Sequence, residues 1–342
     1  MIIMKKKTLS SVFLLYTLFA LVSCQKKEIE KLKTGNATAA SNGDFSIQSL
    51  DILRYFYKGS NNNNIYSGRS TDGTNWSSVQ INNGASLQSG PAAAWFNNNI
   101  YVFHRGRTNN NLYYSVSTNR GDSWSSDVAM NNNAGTERAP AATTFNGKIF
   151  VAYVSATFTS PEPDQSNIYY SYSSDGSNWT EVSLPYVTFN EPYIFSYGNK
   201  IYISYEANNL SFVNIISSTD GVNWTQESQL PYGTHRQAVA VNSNGRGCLV
   251  RTDGSDNLTF SYSDDLVNWT TPVYILTTTG GIAASLQRPT VTFDSNNNRF
   301  VVVYKGKNNN DIYYADDRSG ALVERGVANG TTTDAPYLIF TP

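Results

Sequence analysis

The chain has 342 residues, with 25 Lys and Arg against 26 Asp and Glu, which gives a formal net charge of −1. A nearly neutral chain has no electrostatic basis for binding nucleic acid. Twenty-three Tyr, sixteen Phe and six Trp stand among Asn-rich turns, and only 15% of the residues are charged. This composition predicts an all-β protein made of many short strands and tight loops.

The N-terminus predicts a targeting segment that precedes the fold. Lysines at residues 5–7 are followed by an apolar stretch at residues 12–22, which is short for a membrane span. The stretch ends in Leu-Val-Ser-Cys at residues 21–24, which resembles a bacterial lipobox. The resemblance implies a signal peptide over residues 1–23 and lipidation of Cys24, and an uncleaved apolar anchor is the alternative. We therefore expect a lipid-anchored envelope protein at the outer membrane, with the face of display left open.

Residues 24–44 are polar and rich in small residues, which predicts a disordered tether ahead of a single domain over residues 45–342. After lipidation only Cys248 remains as a thiol, so no disulfide within the chain is expected. Cys248 lies in an apolar run, which indicates a small buried residue. Because the mature chain contains one Cys and only two His, His104 and His235, we expect no metal site and no cofactor.

A short phrase recurs along the chain. Its copies begin with Ser, carry Asp or Asn two residues later, and end in Trp. These positions are Asp72 and Trp76, Asn119 and Trp124, Asp175 and Trp179, Asp220 and Trp224, and Asp265 and Trp269. The tryptophans are 48, 55, 45 and 45 residues apart, and a period in this range predicts a repeat architecture with one small sheet per repeat.

Turn chemistry explains each copy of the phrase. The Asp side chain accepts hydrogen bonds from the backbone N–H groups that follow it, and Gly supplies a positive φ. The Trp begins the next strand, where its ring can wedge between neighbouring sheets. The phrase resembles the Asp box, or BNR repeat, of sialidase-type β-propellers, and the resemblance covers residues 45–342. It implies a β-propeller.

The two ends of the domain predict how the ring closes. Each repeat supplies four strands, and Pro introduces the first strand at residues 91, 140, 192 and 289. The first repeat instead opens at its second strand, residues 52–57, and the chain finishes on an orphan first strand, residues 336–340. Joining these two strands completes a sixth sheet and removes an open edge, while a shortened turn at residues 316–320 supplies the sixth turn. We predict a six-bladed β-propeller closed by the C-terminal strand in the N-terminal blade.

Strand alternation sorts the loops onto two faces. Loops between strands one and two, and between strands three and four, form what we call the turn face. Loops between strands two and three, and the segments that enter each first strand, form the mouth face around the channel. The entering segments hold the candidate ligand-binding residues Glu137, Arg138, Glu191, His235, Arg236, Arg288 and Asp334. These groups suit carboxylate and sugar-hydroxyl recognition or acid–base chemistry, and a salt-bridge network at a wet pore is the alternative.

One arrangement on the mouth face resembles that of sialidase-like enzymes. Residues 138–140, Arg-Ala-Pro, enter a first strand, and Asp164 lies in the loop between the next two strands. The resemblance implies a carboxylate-binding set and an acid/base, namely Arg138, Arg236 and Arg288 with Glu191 or Asp164. No Tyr nucleophile with a Glu partner can be assigned, because the neighbours Tyr205 and Glu206 point to opposite faces of a strand.

A second phrase resembles the repeats of bacterial propeller lectins. An aromatic or His residue, a basic residue and Gly precede a Tyr-containing strand at residues 57–66, 102–114 and 304–314. The resemblance implies several weak sugar sites, as suits multivalent capture, although a basic residue before Gly and Asn is also ordinary hairpin chemistry.

Carbohydrate recognition at the mouth face is therefore the leading hypothesis. The alternatives are an exo-acting glycoside hydrolase of the sialidase superfamily and a surface scaffold that binds proteins, since a propeller can host all three functions. The expected partners are a carbohydrate or glycoconjugate, and the membrane through the N-terminal lipid only.

Overall fold

The structure is a computed structural model that describes residues 52–85, 89–132, 134–155, 166–206, 212–231 and 234–342. The predicted signal peptide, tether, Cys24 and Asp164 lie outside the described residues, as does the side chain of His235. The described chain forms six antiparallel sheets of four strands each.

We number the sheets as blades 1 to 6 in chain order. Blade 1 contains β1 (Ile52–Lys58), β2 (Asn64–Ser70), β3 (Ser77–Ala85) and the last strand of the chain, β24 (Tyr337–Thr341). Blade 2 contains β4 (Ala92–Phe96), β5 (Asn99–Arg105), β6 (Leu112–Ser117) and β7 (Val128–Ala129). Blade 3 contains β8 (Ala141–Phe145), β9 (Lys148–Val154), β10 (Ser166–Ser173) and β11 (Thr180–Thr188).

The second half of the ring repeats this order. Blade 4 contains β12 (Tyr193–Tyr197), β13 (Lys200–Glu206), β14 (Phe212–Ser218) and β15 (Thr225–Pro231). Blade 5 contains β16 (Thr234–Val241), β17 (Gly247–Asp253), β18 (Leu258–Ser263) and β19 (Val273–Tyr274). Blade 6 contains β20 (Thr290–Asp294), β21 (Arg299–Lys305), β22 (Asp311–Asp316) and β23 (Val323–Thr331).

This arrangement confirms the predicted six-bladed β-propeller and the way it closes. β24 pairs antiparallel with β1, with Ile52 opposite Thr341 and Phe56 opposite Tyr337. β24 is therefore the innermost strand of blade 1, and it occupies the place that β4, β8, β12, β16 and β20 occupy in the other blades. Closure through a shared blade removes the open inner edge that β1 would otherwise present.

The recurring turns have the hydrogen bonds that their sequence predicts. In the turn of blade 4, Asp220 Oδ1 accepts from the Ser218 hydroxyl and from the backbone N–H groups of Val222 and Asn223, each at 2.8 Å. Asn223 Nδ2 donates to Asp220 Oδ2, also at 2.8 Å. The same pattern surrounds Asp72, Asp175 and Asp265. Each turn is therefore stabilised by contacts within a few residues.

The tryptophans that end these turns pack against the preceding blade. Trp179 meets Phe103 of blade 2 edge to face at 5.5 Å, and Trp224 lies 5.7 Å from Tyr170 of blade 3. Trp76 makes the corresponding contact where blade 1 meets blade 6, with its ring centroid 5.7 Å from that of Tyr314. The core therefore lies between neighbouring blades, where apolar faces of adjacent sheets are stacked by an aromatic wedge.

Substitution of two adjacent aspartates in blade 5, Asp264 and Asp265, can test how much these turns contribute to stability. The backbone N–H of Asn268, then its side chain and the N–H of Val267, lower the pKa of Asp265 below its ordinary value of 3.8. A lowered pKa contributes stability that is present above this ordinary value and is lost as the pH falls through the folded-state pKa. We expect Asp265→Ala to lower the free energy of unfolding at pH 7 and to weaken its dependence on acid, as measured by urea unfolding at several pH values.

Asp264→Ala is the matched control, because Asp264 is exposed and lies beside Asp265. Equal losses in the two variants would show that the turn hydrogen bonds contribute nothing specific.

Candidate functional site

The segments that enter the first strands share a local hydrogen-bonded turn, which determines the backbone conformation at the mouth face. In four of them a Ser or Thr hydroxyl accepts the N–H of the residue two positions on and donates to that residue's carbonyl. The pairs are Thr136 and Arg138, Thr188 and Asn190, Ser285 and Gln287, and Thr332 and Asp334. These turns hold the candidate residues next to the strand ends.

Arg288 lies on the axis of the ring and is completely buried. Its guanidinium donates to the carbonyls of Pro140 at 2.8 Å and Pro192 at 3.1 Å, in blades 3 and 4. It also lies 5.6 and 5.9 Å from the ring centroids of Tyr193 and Tyr337. Arg288 therefore ties three blades together across the axis, and it offers no surface to a sugar carboxylate.

The other two arginines of the predicted carboxylate-binding set have different surroundings. Arg236 Nη1 lies 4.0 Å from the Asp256 carboxylate, and about a quarter of each side chain is exposed. Arg138 is half-buried, and its guanidinium has no ion pair or hydrogen bond within the part of the chain that the structure describes. Arg138 is thus the member of the set that remains available to a ligand.

The acidic candidates also separate into structural and available groups. Asp334 is held by Lys58 Nζ at 3.0 Å and by the Thr333 hydroxyl at 2.7 Å. Glu137 is half-buried. Glu191 is half-buried as well, and its buried Oε2 has no hydrogen-bond partner among the described residues. Glu137, Glu191 and Arg138 are therefore the candidates that could still meet a ligand at the mouth.

The basic residues at the ends of the second strands turn inward. Lys58 pairs with Asp334. Lys305 Nζ donates to the carbonyls of Gly306 and Asn309 at 3.0 and 2.9 Å, and Arg105 donates to the carbonyl of Glu137 at 3.2 Å. These cations close the loops that follow them and do not present a positive surface.

Stacked aromatic pairs lie next to these loops. Each joins the end of strand two to the start of strand three, and each contacts a carboxylate on strand four or just before it. The pairs are His104 and Tyr113, Tyr153 and Tyr169, and Tyr304 and Tyr313, with centroids 6.0, 6.2 and 5.5 Å apart. The carboxylates are Asp127, Glu181 and Glu324, respectively. We call these units the aromatic platforms of blades 2, 3 and 6.

The second recurring phrase, with Gly followed by Asn residues, orients the third-strand tyrosine in two of the platforms. Asn109 and Asn309 each donate from the side-chain amide to the Tyr hydroxyl four residues on, at 3.2 Å to Tyr113 and 2.9 Å to Tyr313. The same bond joins Asn62 to Tyr66 in blade 1 at 3.1 Å, where Tyr66 stacks on Tyr57. The predicted hairpins therefore form, and their Asn residues orient half-buried aromatic rings at the mouth face.

The platform of blade 6 borders a cleft of about 390 Å³ between blades 5 and 6. One wall is the connection from β19 to β20, which supplies Ile282, Ala283 and Ala284 as well as the threonines at 277–279. The opposite wall is the platform itself with the loop at residues 306–309. An aliphatic wall therefore faces an aromatic one, as in a site that encloses a ring, and the volume is that of a small-ligand pocket.

The two charged side chains that line this cleft, Glu324 and Lys307, already have hydrogen-bond or ion-pair partners within the protein. The Tyr304 hydroxyl donates to Glu324, and burial followed by this hydrogen bond raises the pKa of Tyr304 above its ordinary value. Lys307 Nζ donates to the Ser255 carbonyl at 2.9 Å and lies 3.2 Å from Asp256. Because the cation is neutralised outside the cleft, the site favours hydrogen bonding to hydroxyl groups over binding of an anion.

Sequence reasoning missed the carboxylates of the platforms and the wall at residues 277–284. The platform carboxylates lie on or near the fourth strands, where register shifts or very short strands obscure the alternation of side chains. Their acidic character was the available signal, and the recurring phrase did not include it.

Cys248 is buried, as the sequence predicts, and burial raises the pKa of its thiol. The described residues contain no cluster of three His, Cys, Asp or Glu side chains that could hold a metal ion. They also contain no helix of the length and apolarity needed to cross a membrane.

Similar architectures occur among solved structures. The chain superposes on the fucose-recognising fungal lectin of Aleuria aurantia, a six-bladed β-propeller, with a TM-score of 0.64 and 16% identity over 82% of this chain and 93% of the lectin. It superposes on the Hadza microbial sialidase Hz136 with a TM-score of 0.54 and 16% identity, over 71% of this chain but only 57% of the sialidase.

A third similar structure is the exo-β-1,3-galactanase of Phanerochaete chrysosporium, with a TM-score of 0.51 and 14% identity over 69% of this chain and 62% of that one. No family model and no curated protein sequence matches the chain. At these identities the similarity concerns the fold, which is that of a six-bladed β-propeller.

The different surroundings of the arginines predict different effects of substitution. Arg288→Met keeps much of the side-chain volume but leaves two buried carbonyls without their donor, so we expect it to lower the free energy of unfolding by about 2 kcal/mol or more. Arg138→Met, at a half-buried side chain without a partner, should change it by about 0.5 kcal/mol or less. Urea unfolding measures both. Similar losses would contradict the assignment of Arg288 as a structural residue.

Proposed function

We propose that this propeller recognises carbohydrate at its mouth face without modifying it. The observation that carries the proposal is the cleft between blades 5 and 6, where the Tyr304–Tyr313 platform faces Ile282 and the alanines beside it. A sugar ring has apolar C–H faces and a polar edge, so two apolar walls with Glu324 and threonine hydroxyls between them match its chemistry.

The repetition of the platform favours binding over catalysis. Blades 2, 3 and 6 each combine a stacked pair with a carboxylate, and an enzyme needs only one such centre. Several weak sites on one rigid ring suit the capture of glycans that display many copies of one sugar. The similarity of the fold to that of a fucose-recognising lectin supports the same proposal.

Hydrolysis is the second candidate, and the one observation in its favour is Glu191, whose buried Oε2 has no partner among the described residues. A sialidase-like route needs an activated Tyr, yet burial raises the pKa of Tyr205 to about 12 and also raises the pKa of Tyr304 above its ordinary value. These phenols stay protonated at neutral pH and act as hydrogen-bond donors. The tyrosines near the mouth therefore favour the binding function.

We further propose that the five recurring turns are Asp boxes and that the chain is a lipoprotein anchored through Cys24 in a bacterial envelope. The hydrogen bonds around Asp72, Asp175, Asp220 and Asp265 support the first part. The lipobox-like residues 21–24 after an apolar stretch support the second.

A glycan array followed by calorimetric titration of the best ligand tests the binding function. We expect saturable binding with more than one site per chain. Tyr313→Ala removes the outer ring of one platform, so the number of sites should fall by one, or one site should weaken by about tenfold or more. Tyr197→Ala is the matched control, because Tyr197 is a half-buried ring at the end of β12 on the turn face.

Three outcomes would count against this function. A folded sample that binds no glycan would favour a protein-binding scaffold. Identical effects of the two Tyr substitutions would place the sugar elsewhere than the platform. Turnover of an aryl glycoside that disappears in Glu191→Gln would establish the hydrolase.

Anchoring makes a separate prediction. In a bacterial host the full chain should fractionate with membranes. Cys24→Ser, made with residues 1–23 exchanged for an ordinary secretory signal so that no apolar segment remains after cleavage, should be released into the soluble fraction because it lacks the acylated thiol. Cys248→Ala, at the buried thiol, should fractionate like the wild type. Release of both variants, or of neither, would contradict the lipoprotein proposal.

A further inference from the structure

A second cavity lies on the axis of the ring, away from the cleft between blades 5 and 6, which we call the sugar cleft. Its volume is about 400 Å³, and the first strands of all six blades line it. Because each first strand runs from the mouth face to the turn face, the half-buried residues near the strand ends, Trp95, Phe293 and Phe340, place its opening on the turn face. We call this cavity the axial funnel.

Two tyrosines form the inner end of the funnel. Tyr193 and Tyr337 are buried with ring centroids 6.0 Å apart, and both line the cavity. The Tyr337 hydroxyl accepts the Ala142 N–H at 3.0 Å and donates to its carbonyl at 2.9 Å. Arg288 contacts both rings but does not line the cavity. The rings thus separate the funnel from the polar mouth.

None of the side chains that line the funnel carries a charge. The wall consists of small and branched apolar residues, the rings already named, and a few Ser and Thr hydroxyls. Two of these hydroxyl groups lie within hydrogen-bond distance of each other, since Ser196 Oγ lies 3.4 Å from Thr143 Oγ1 and also donates to the Thr144 carbonyl at 2.8 Å. An anionic group placed here would be desolvated without a partner.

The wall nevertheless offers hydrogen bonds. Each first strand pairs with a second strand on one edge only, so its other edge directs backbone N–H and C=O groups toward the axis. Some of these groups are already bonded, as at Ala142 and at Leu338, whose N–H donates to the Thr290 hydroxyl at 3.0 Å. The remaining edge combines peptide dipoles with aromatic rings.

We propose that the axial funnel binds an uncharged, flat ring compound that carries hydrogen-bonding groups on its edge, of the chemical class of the neutral heteroaromatics. The ring packs against Trp95, Phe293 and Phe340, and its edge meets the free peptide groups of the first strands. A compound of this kind is small enough to fit in the funnel, whose volume is about 400 Å³. This site lies on the face opposite the sugar cleft and does not depend on the carbohydrate proposal.

Titration with indole as the probe tests this inference, using ligand-observed NMR and calorimetry on the whole protein. We expect saturable binding at one site. Indole-3-acetate, which adds a negative charge, should bind at least about tenfold more weakly, because the side chains that line the funnel offer an anion no partner.

Two substitutions in one exposed turn locate the site. Ser295 lines the funnel, whereas its neighbour Asn296 does not, and both are exposed, so a large side chain at either position should leave the fold intact. Ser295→Trp should weaken indole binding by about tenfold or more, and Asn296→Trp should change it by about twofold or less. Absence of saturable indole binding, tighter binding of the anionic analogue, or equal effects of the two substitutions would overturn the proposal.

Discussion

The antiparallel pairing of β24 with β1 is the contact on which the other parts of the structure depend. It places Tyr337 on the axis, where its hydroxyl reaches Ala142 in blade 3, and it brings Asp334 to within 3.0 Å of Lys58. Without this pairing blade 1 would keep an open inner edge, and the axis would lose one of the two rings that form the inner end of the funnel. Closure therefore organises the centre of the molecule as well as its circumference.

The distribution of polar groups follows from this closed ring. At the axis, residues that could have bound a ligand hold blades together instead, as Arg288 does through two backbone carbonyls. Basic residues of the loops are occupied within their own blade, as Lys58 is by Asp334 and Lys305 by the carbonyls of Gly306 and Asn309. Groups that remain available are Arg138, Glu191 and the aromatic platforms. At the platforms the chemistry of the mouth face is consequently hydrogen bonding beside aromatic rings.

The fold was predictable from sequence because its determinants are local and repeated. The phrase that ends in Trp76, Trp124, Trp179, Trp224 and Trp269 marks the blades, and the unmatched strands at the two ends indicate the closure. The site was less predictable, because the role of a side chain depends on distant contacts. Arg288 reaches a carbonyl 148 residues away, and no sequence pattern distinguishes it from Arg138. The wall at residues 277–284 lies in an irregular connection, where periodicity is absent.

The register of the closing strands also determines on which face of the ring the first described strand begins. Ile52 lies opposite Thr341, at the end of a first strand, so the chain enters the ring on the turn face. The opposite face carries the cleft between blades 5 and 6. The first described strand therefore begins on the face away from the aromatic platforms, which lie together on the other face, where one polymeric glycan could contact several of them at once.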